Sequence, residues 1–193
     1  MQTQELLAAI PARPIPAARA RRITPPMNTQ WSVSGTPAAF SRVDLPAPLP
    51  AFLSTYRKLA EGSMPHGLPR IETLDLRRFG HCLSGLTLWE VLPEEDYLCL
   101  FAGEAISRHV GIDPAGHRLS EIGGDWLAAV LAEFDLVRTQ RVAHAARRVP
   151  LLAGSSFRAA VRLLLPVGAA AAGVTHLVGC VAFDLASEAA LPA

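Results

Sequence analysis

The sequence predicts an α+β domain carrying five antiparallel strands, and three observations lead there. A helical apolar period at 49–61 gives way to two short strands joined by a hairpin-length polar turn. The period becomes helical again through the middle of the chain. It then settles to two in three successive runs near the C-terminal end. Strands linked by short connections at both ends must be mostly antiparallel. Helices placed between the second and third strands can fold together onto one face of the sheet.

The elements follow in order. Residues 1–46 are punctuated by Pro11, Pro14, Pro16, Pro25, Pro26, Pro37 and Pro46, with Arg13, Arg19, Arg21 and Arg22 among them. Repeated proline removes backbone donors and interrupts regular structure, so this segment is expected to be a disordered Pro/Ala/Arg-rich tail, or residues upstream of a start at Met27. The domain proper is expected over 47–185, with a core at 67–184 and a loose end at 186–193. In the helix at 49–61, Pro50 suits the first turn, Leu49, Phe52, Leu53, Tyr56 and Leu59 recur at helical spacing, and Gly62 is a natural stop. A short helical turn at 74–79 has Thr73 or Asp75 near its cap. Strands are expected at 86–92 and 97–102, joined by Pro93-Glu94-Glu95-Asp96, read as a solvated turn. A two-turn helix at 104–110 closes at Gly111, and Asp113-Pro114-Ala115-Gly116 is a turn. A longer helix opens near Asp125 and carries Trp126, Val130, Leu131, Phe134 and Val137 on one side. Runs at 141–152, 157–165 and 174–183 are the last three strands, separated by glycine-containing loops.

Composition excludes several function classes. At 193 residues the chain can bury a full core, and a formal net charge of +1 gives no case for a nucleic-acid surface or an acidic substrate. Lys58 is the sole lysine among 18 basic residues. Cys82, Cys99 and Cys180 are odd in number and widely spaced, without a Cys-x-x-Cys, so each is expected to pack as a small apolar residue in a reducing compartment. His81, His109, His117, His144 and His176 show no metal-type spacing. No apolar run reaches the roughly twenty residues of a membrane span, and no secretory leader is visible, so a cytoplasmic protein is expected. There is no Gly-rich phosphate loop, no Gly-x-Ser-x-Gly and no His-Glu-x-x-His. Gly123-Gly124-Asp125 reads as a helix N-terminus.

The face pattern carries one more inference. Both alternating sets are apolar in Tyr97-Leu98-Cys99-Leu100-Phe101 and across 161–165, and such strands need both faces covered. The middle helices cover one. The helix at 49–61, or the same surface of a second copy, is expected to cover the other. That makes Leu49, Phe52, Leu53, Tyr56, Leu98 and Leu100 an expected interaction face, with Arg158 and Arg162 marking where the cover ends.

Several short motifs recur in a recognisable order. Tyr56-Arg57-Lys58-Leu59 is followed by Gly62 and Pro65; Pro69-Arg70 precedes Asp75; Leu100-Phe101-Ala102-Gly103-Glu104 ends the second strand; and Gly111, Asp113, Gly116 and His117 mark the next turn. This order resembles the compact bacterial PAS-like family, over about two thirds of the chain, residues 51–184. Leu100 and Glu104 stand where that family has arginine and threonine, so no role is carried over to those two positions.

The resemblance implies a PAS-like five-stranded antiparallel sheet with helices on one face and the N-terminal amphipathic helix on the other. It further implies a hollow between sheet and helices, lined by Cys99, Phe101, Ile106, His109, Val110, Ile112, Trp126, Phe134, Leu163, Val178 and Cys180, or else a core filled by the same residues. The implied function is a sensory or regulatory protein without enzymatic activity, working through an unidentified signalling partner, or a homodimer, and taking a small ligand. The cofactor is unknown. Haem would need an axial imidazole, for which His109, then His117, are placed; photochemical flavin lacks its cysteine context. Two alternatives stand beside this reading. One is a small cofactor-free enzyme with an acid–base pair such as His109 or His176 with Glu104. The other is a structural adaptor with a solid core.

Overall fold

The structure, a computed structural model, describes residues 27–61, 68–124, 126–150, 157–169 and 173–185. The described strands are β1 (Met27–Gly35), β2 (Leu86–Val91), β3 (Tyr97–Ala102), β4 (Ala143–Pro150), β5 (Phe157–Ala169) and β6 (Gly173–Leu185). The helices are α1 (Leu49–Glu61), α2 (Glu104–Val110), α3 (Leu119–Ile122) and α4 (Leu127–Gln140), with 3-10 segments at Ala39–Arg42, Ile71–Thr73 and Leu76–Gly85. The strands make one open sheet in the order β1-β4-β5-β6-β2-β3. Every pairing between them is antiparallel.

Among the described residues the sheet has six strands rather than five, because β1 is drawn from the expected tail. Pro26 and Pro37 bracket a proline-free stretch in which Thr29, Trp31 and Val33 alternate with polar residues. That stretch pairs along β4, from Met27↔Pro150 to Gly35↔Ala143, with one irregularity between Thr29 and Trp31. The assignment of 1–46 as tail is therefore corrected for residues 27–46, of which Phe40 and Leu45 join the core. Residues 1–26 and 186–193 lie outside the described residues, as does Asp125, expected to open the longer helix. The last two strands also run further than periodicity indicated, since β5 passes through Pro166 to Ala169.

Two apolar clusters lie on opposite faces of the sheet. On one face, Leu49, Phe52, Leu53, Tyr56 and Leu59 of α1, with Phe79 and Cys82 of the 3-10 segment, pack on Leu86, Leu88, Ala143, Ala145, Leu163, Leu165, Val178 and Cys180. Phe52 and Phe79 meet with ring centroids 5.4 Å apart. The Tyr56 hydroxyl donates to the Pro166 carbonyl at 2.6 Å, fixing α1 to β5. Each buried side chain of this stripe contributes on the order of 1.5–3 kcal/mol. Leu49, Phe52, Leu53 and Tyr56 are at most 4% exposed. The expected interaction face is thus corrected at these positions: their contacts are consumed inside the chain. Leu100 is half-buried on the same cluster, and Leu98 is partly buried and bridges to Arg118.

On the other face, Leu119, Ile122, Val130, Phe134 and Val137 of α3 and α4 pack on Trp89, Tyr97, Cys99, Leu164 and Leu177. Two polar contacts fix this layer. The Tyr97 hydroxyl donates to Asp135 at 2.7 Å, tying β3 to α4. Asp96, expected in a solvated turn, is instead buried, and accepts from Tyr97 N at 2.8 Å and from the Ser120 hydroxyl at 2.5 Å. The hairpin turn and α3 share that carboxylate.

The link from β3 to α2 needs a glycine. A Cβ on Gly103 would sit 2.1 Å from the Leu83 carbonyl oxygen and 2.4 Å from that of Ser84. Gly111 then closes α2 at φ 82°, in the left-handed region.

Candidate functional site: a half-open cavity with a buried arginine pair

Between the sheet and helices α2–α4 lies a half-open cavity of about 130 Å³. Its walls are Ile106 and His109 of α2, Pro114, Leu119 and Ile122, and Trp126, Val130 and Phe134. Its floor is Thr87 and Trp89 of β2, Ala146 and Arg148 of β4, Ala160 and Arg162 of β5, and Val181 and Phe183 of β6. Phe134 anchors an aromatic cluster: Trp89 stands edge-on to it at 5.4 Å and Tyr97 at 4.8 Å. His109 stacks on Phe183 at 4.5 Å, and burial, then the nearby Arg108 charge, lower its basicity.

Of the residues expected to line the hollow, Ile106, His109, Trp126 and Phe134 do so. Ile112 packs against the inner cluster, and Cys99 belongs to it as a buried member without reaching the cavity wall. The side chain of Val110 is outside the description. Leu163, Val178 and Cys180 are corrected: they lie on the opposite face, among the α1 contacts. Consecutive leucines at 163–165 offer two apolar alternations, and the true floor is the other set, Ala160 and Arg162. Phe101 is corrected for a different reason. An irregularity in register pairs Leu88 with Phe101 but Trp89 with Cys99, so the extra residue Leu100 puts Phe101 on the α1 side. Arg162, expected to mark the end of the outer cover, faces the cavity instead.

The centre of the site is a charge cluster not anticipated from the sequence. Glu133 of α4 takes Arg148 Nη2 on one carboxylate oxygen and Arg162 Nη2 on the other. His144 Nε2 approaches the same carboxylate at 3.7 Å, an ion-pair distance, while its Nδ1 is 2.7 Å from the Ser34 hydroxyl of β1. Burial alone would raise the Glu133 carboxyl. His144 and the two guanidinium groups overcome it and hold the group at about 2. Burial in turn lowers the Arg162 guanidinium to about 10, so it stays charged at neutral pH. Its plane lies over Phe134, 5.1 Å from the ring centroid. Each partner sits in an otherwise apolar face, and that oddity was the available signal.

Two residues of the cavity floor each bury a polar atom without a hydrogen-bond partner, Arg162 at Nε and Thr87 at Oγ1. Gly179 makes room beside the hydroxyl, because a Cβ there would fall 2.8 Å from Thr87 Oγ1.

Other expected constellations resolve differently. Glu104 pairs with Arg108 on its own exposed helix, and His176 lies 3.0 Å from the Thr175 hydroxyl. His117 faces Glu121 at 3.6 Å, away from the cavity. Ser34, His144 and Glu133 do form a hydroxyl–imidazole–carboxylate series. Both oxygens of that carboxylate also take an arginine. Cys82 and Cys180, distant in sequence, are buried neighbours, and the Cys82 thiol donates to the Phe79 carbonyl at 3.3 Å. Among the described residues no group of three or more His, Cys, Asp or Glu side chains is placed to hold a metal, and no helix is long and apolar enough to cross a membrane. The cavity's volume is close to that needed by a single-ring molecule.

Comparison with protein-family models, curated proteins and solved structures found no match at the significance applied.

Proposed function

We propose that this chain is a non-enzymatic sensory or regulatory protein of PAS-like type, which binds a small organic molecule in the cavity and passes the result to a protein partner. The observation that carries the reading is the cavity itself: an aromatic-walled space between one sheet face and α2–α4, whose floor residues Arg162 and Thr87 each carry a buried polar atom without a partner. Pockets of this make-up, mostly apolar with a few convergent polar groups, are where proteins hold small ligands. The PAS-like part is supported by the order of motifs in 51–122 and by the arrangement of a hairpin, then helices over one face, then a three-stranded meander.

The route outward begins at the arginines. Glu133 couples them to His144, and His144 is bonded to Ser34 on the outermost strand β1. A ligand that draws Arg162 or Arg148 away from Glu133 shifts the balance between two settings of that series, and with it the seating of β1. The partner reads the change at that rim of the sheet.

Native mass spectrometry of the purified full chain, followed by thermal-shift screening against small organic molecules, tests the proposal. One-to-one adducts are expected, and Ala160→Phe, which fills the floor, is expected to abolish them. An adduct that persists in the filled variant places the binding elsewhere and overturns the reading.

A further inference from the structure

We propose that the cavity takes a small organic monocarboxylate, its ring-sized apolar body between Trp126, Ile106 and Phe134 and its acid group at Arg162 and Thr87. The inference rests on the pocket reading above and adds the ligand's chemical class.

Charge is the first argument. Arg148 and Arg162 both line the cavity, and among the described residues the one carboxylate within ion-pairing distance of them is Glu133. No lining residue is acidic. Two guanidinium groups facing one carboxylate leave a positive charge uncompensated at a site where both arginine side chains are at most 15% exposed. Unbalanced buried charge is costly, and one anionic group removes the imbalance. A cation is repelled by the same field. A dianion or polyphosphate exceeds both the charge and the space.

Geometry is the second argument. Glu133 holds Arg162 by Nη2 and Phe134 supports its face, so the guanidinium is already oriented while Nε–H remains unused. Thr87, also a floor residue, supplies a second group, its buried Oγ1 being likewise without a partner. Charge-assisted hydrogen bonds from arginine to carboxylate are among the strongest available in such a setting. Size completes the case. The volume of about 130 Å³ is close to that of an apolar cavity known to hold benzene, roughly 150 Å³, and the open side leaves room for a short substituent.

The test titrates the intact chain with benzoate, benzamide and benzylamine, which share a ring and differ in charge. Intrinsic fluorescence reports binding, since Trp89 and Trp126 line the cavity, and calorimetry gives the affinities. Benzoate is expected to bind at least about tenfold more tightly than benzamide, and benzylamine most weakly. Thr87→Val is expected to weaken benzoate several-fold, and Arg162→Met to erase the preference for it over benzamide. The wild-type comparison decides the matter even where Arg162→Met does not fold. Benzamide binding as tightly as benzoate overturns the carboxylate assignment and leaves the pocket standing. Absence of binding by all three probes at about 10 mM, a free energy weaker than roughly 3 kcal/mol, overturns the pocket reading with it.

Discussion

Replacing Glu133 by glutamine removes one proton-binding charge and leaves the shape nearly unchanged, which makes it the most direct probe of the buried cluster. The carboxyl is held at about 2 against an ordinary 4.5. Since each pKa unit is 1.36 kcal/mol, the ionised carboxylate stabilises the fold by about 3 kcal/mol at neutral pH. Because the folded value lies below the ordinary one, this stabilisation is present above pH 4.5 and is lost as the pH falls toward 2. In Glu133→Gln the loss is already complete at pH 7, and Arg148 and Arg162 face each other without a counter-charge. Urea denaturation is the assay. With a slope of about 2 kcal/mol/M, the midpoint should drop by roughly 1.5 M at pH 7. The variant should also lose the part of the acid transition below pH 4.5. It should keep the part between 6.5 and 4, where burial holds neutral His176 down to about 4 and protonation destabilises the fold. An unchanged midpoint at pH 7, or an identical acid limb in the two proteins, refutes the reasoning.

Four further outcomes follow from the packing. Tyr56→Phe leaves the Pro166 carbonyl without its partner and should cost about 1–2 kcal/mol in chemical denaturation; no measurable loss means the hydroxyl is not anchoring α1. Phe52→Ala, at a fully buried position against Phe79, should cost about 3–5 kcal/mol. Leu53→Glu should lower the melting temperature sharply while leaving the native mass at low protein concentration unchanged; a change of mass alone would restore this face to an intermolecular role. Gly103→Ala should cost about 3 kcal/mol, because the new Cβ meets backbone oxygens rather than a movable side chain, and a near-wild-type melt would show that the 83–84 backbone yields.

The helix at 49–61 and the strand pairs of the hairpin and meander were legible because each has a single strong period, 3.6 or 2, and a recognisable stop. Which face each residue takes was harder. Where Leu163, Leu164 and Leu165 are all apolar, alternation cannot separate inside from outside, and the answer comes from which helix packs on which set. Phe101 escaped because one irregular pairing inverts the parity beyond it, and nothing in the local sequence announces that. Strand β1 was hidden by the prolines on either side of it, although a ten-residue stretch free of proline lay between them at 27–36. The charge cluster joins residues from 34 to 162, so it exists only once β1, β4, β5 and α4 are in place. Even so, a glutamate beside Phe134 and an arginine within an apolar strand were each out of keeping with their surroundings.

Strand β5 outruns its neighbour: pairing with β4 ends at His144↔Leu164, while β5 continues to Ala169. The overhanging rim is sealed by other means. Tyr56 takes the Pro166 carbonyl, Pro69 accepts the Gly168 N–H at 2.9 Å, and Pro166 has no N–H to offer. The N-terminal helix therefore acts as a guard on an unfinished margin as well as a lid on apolar side chains. Partial melting of that helix bares main-chain groups ready to zip onto another chain, so self-adhesion should set in before global unfolding.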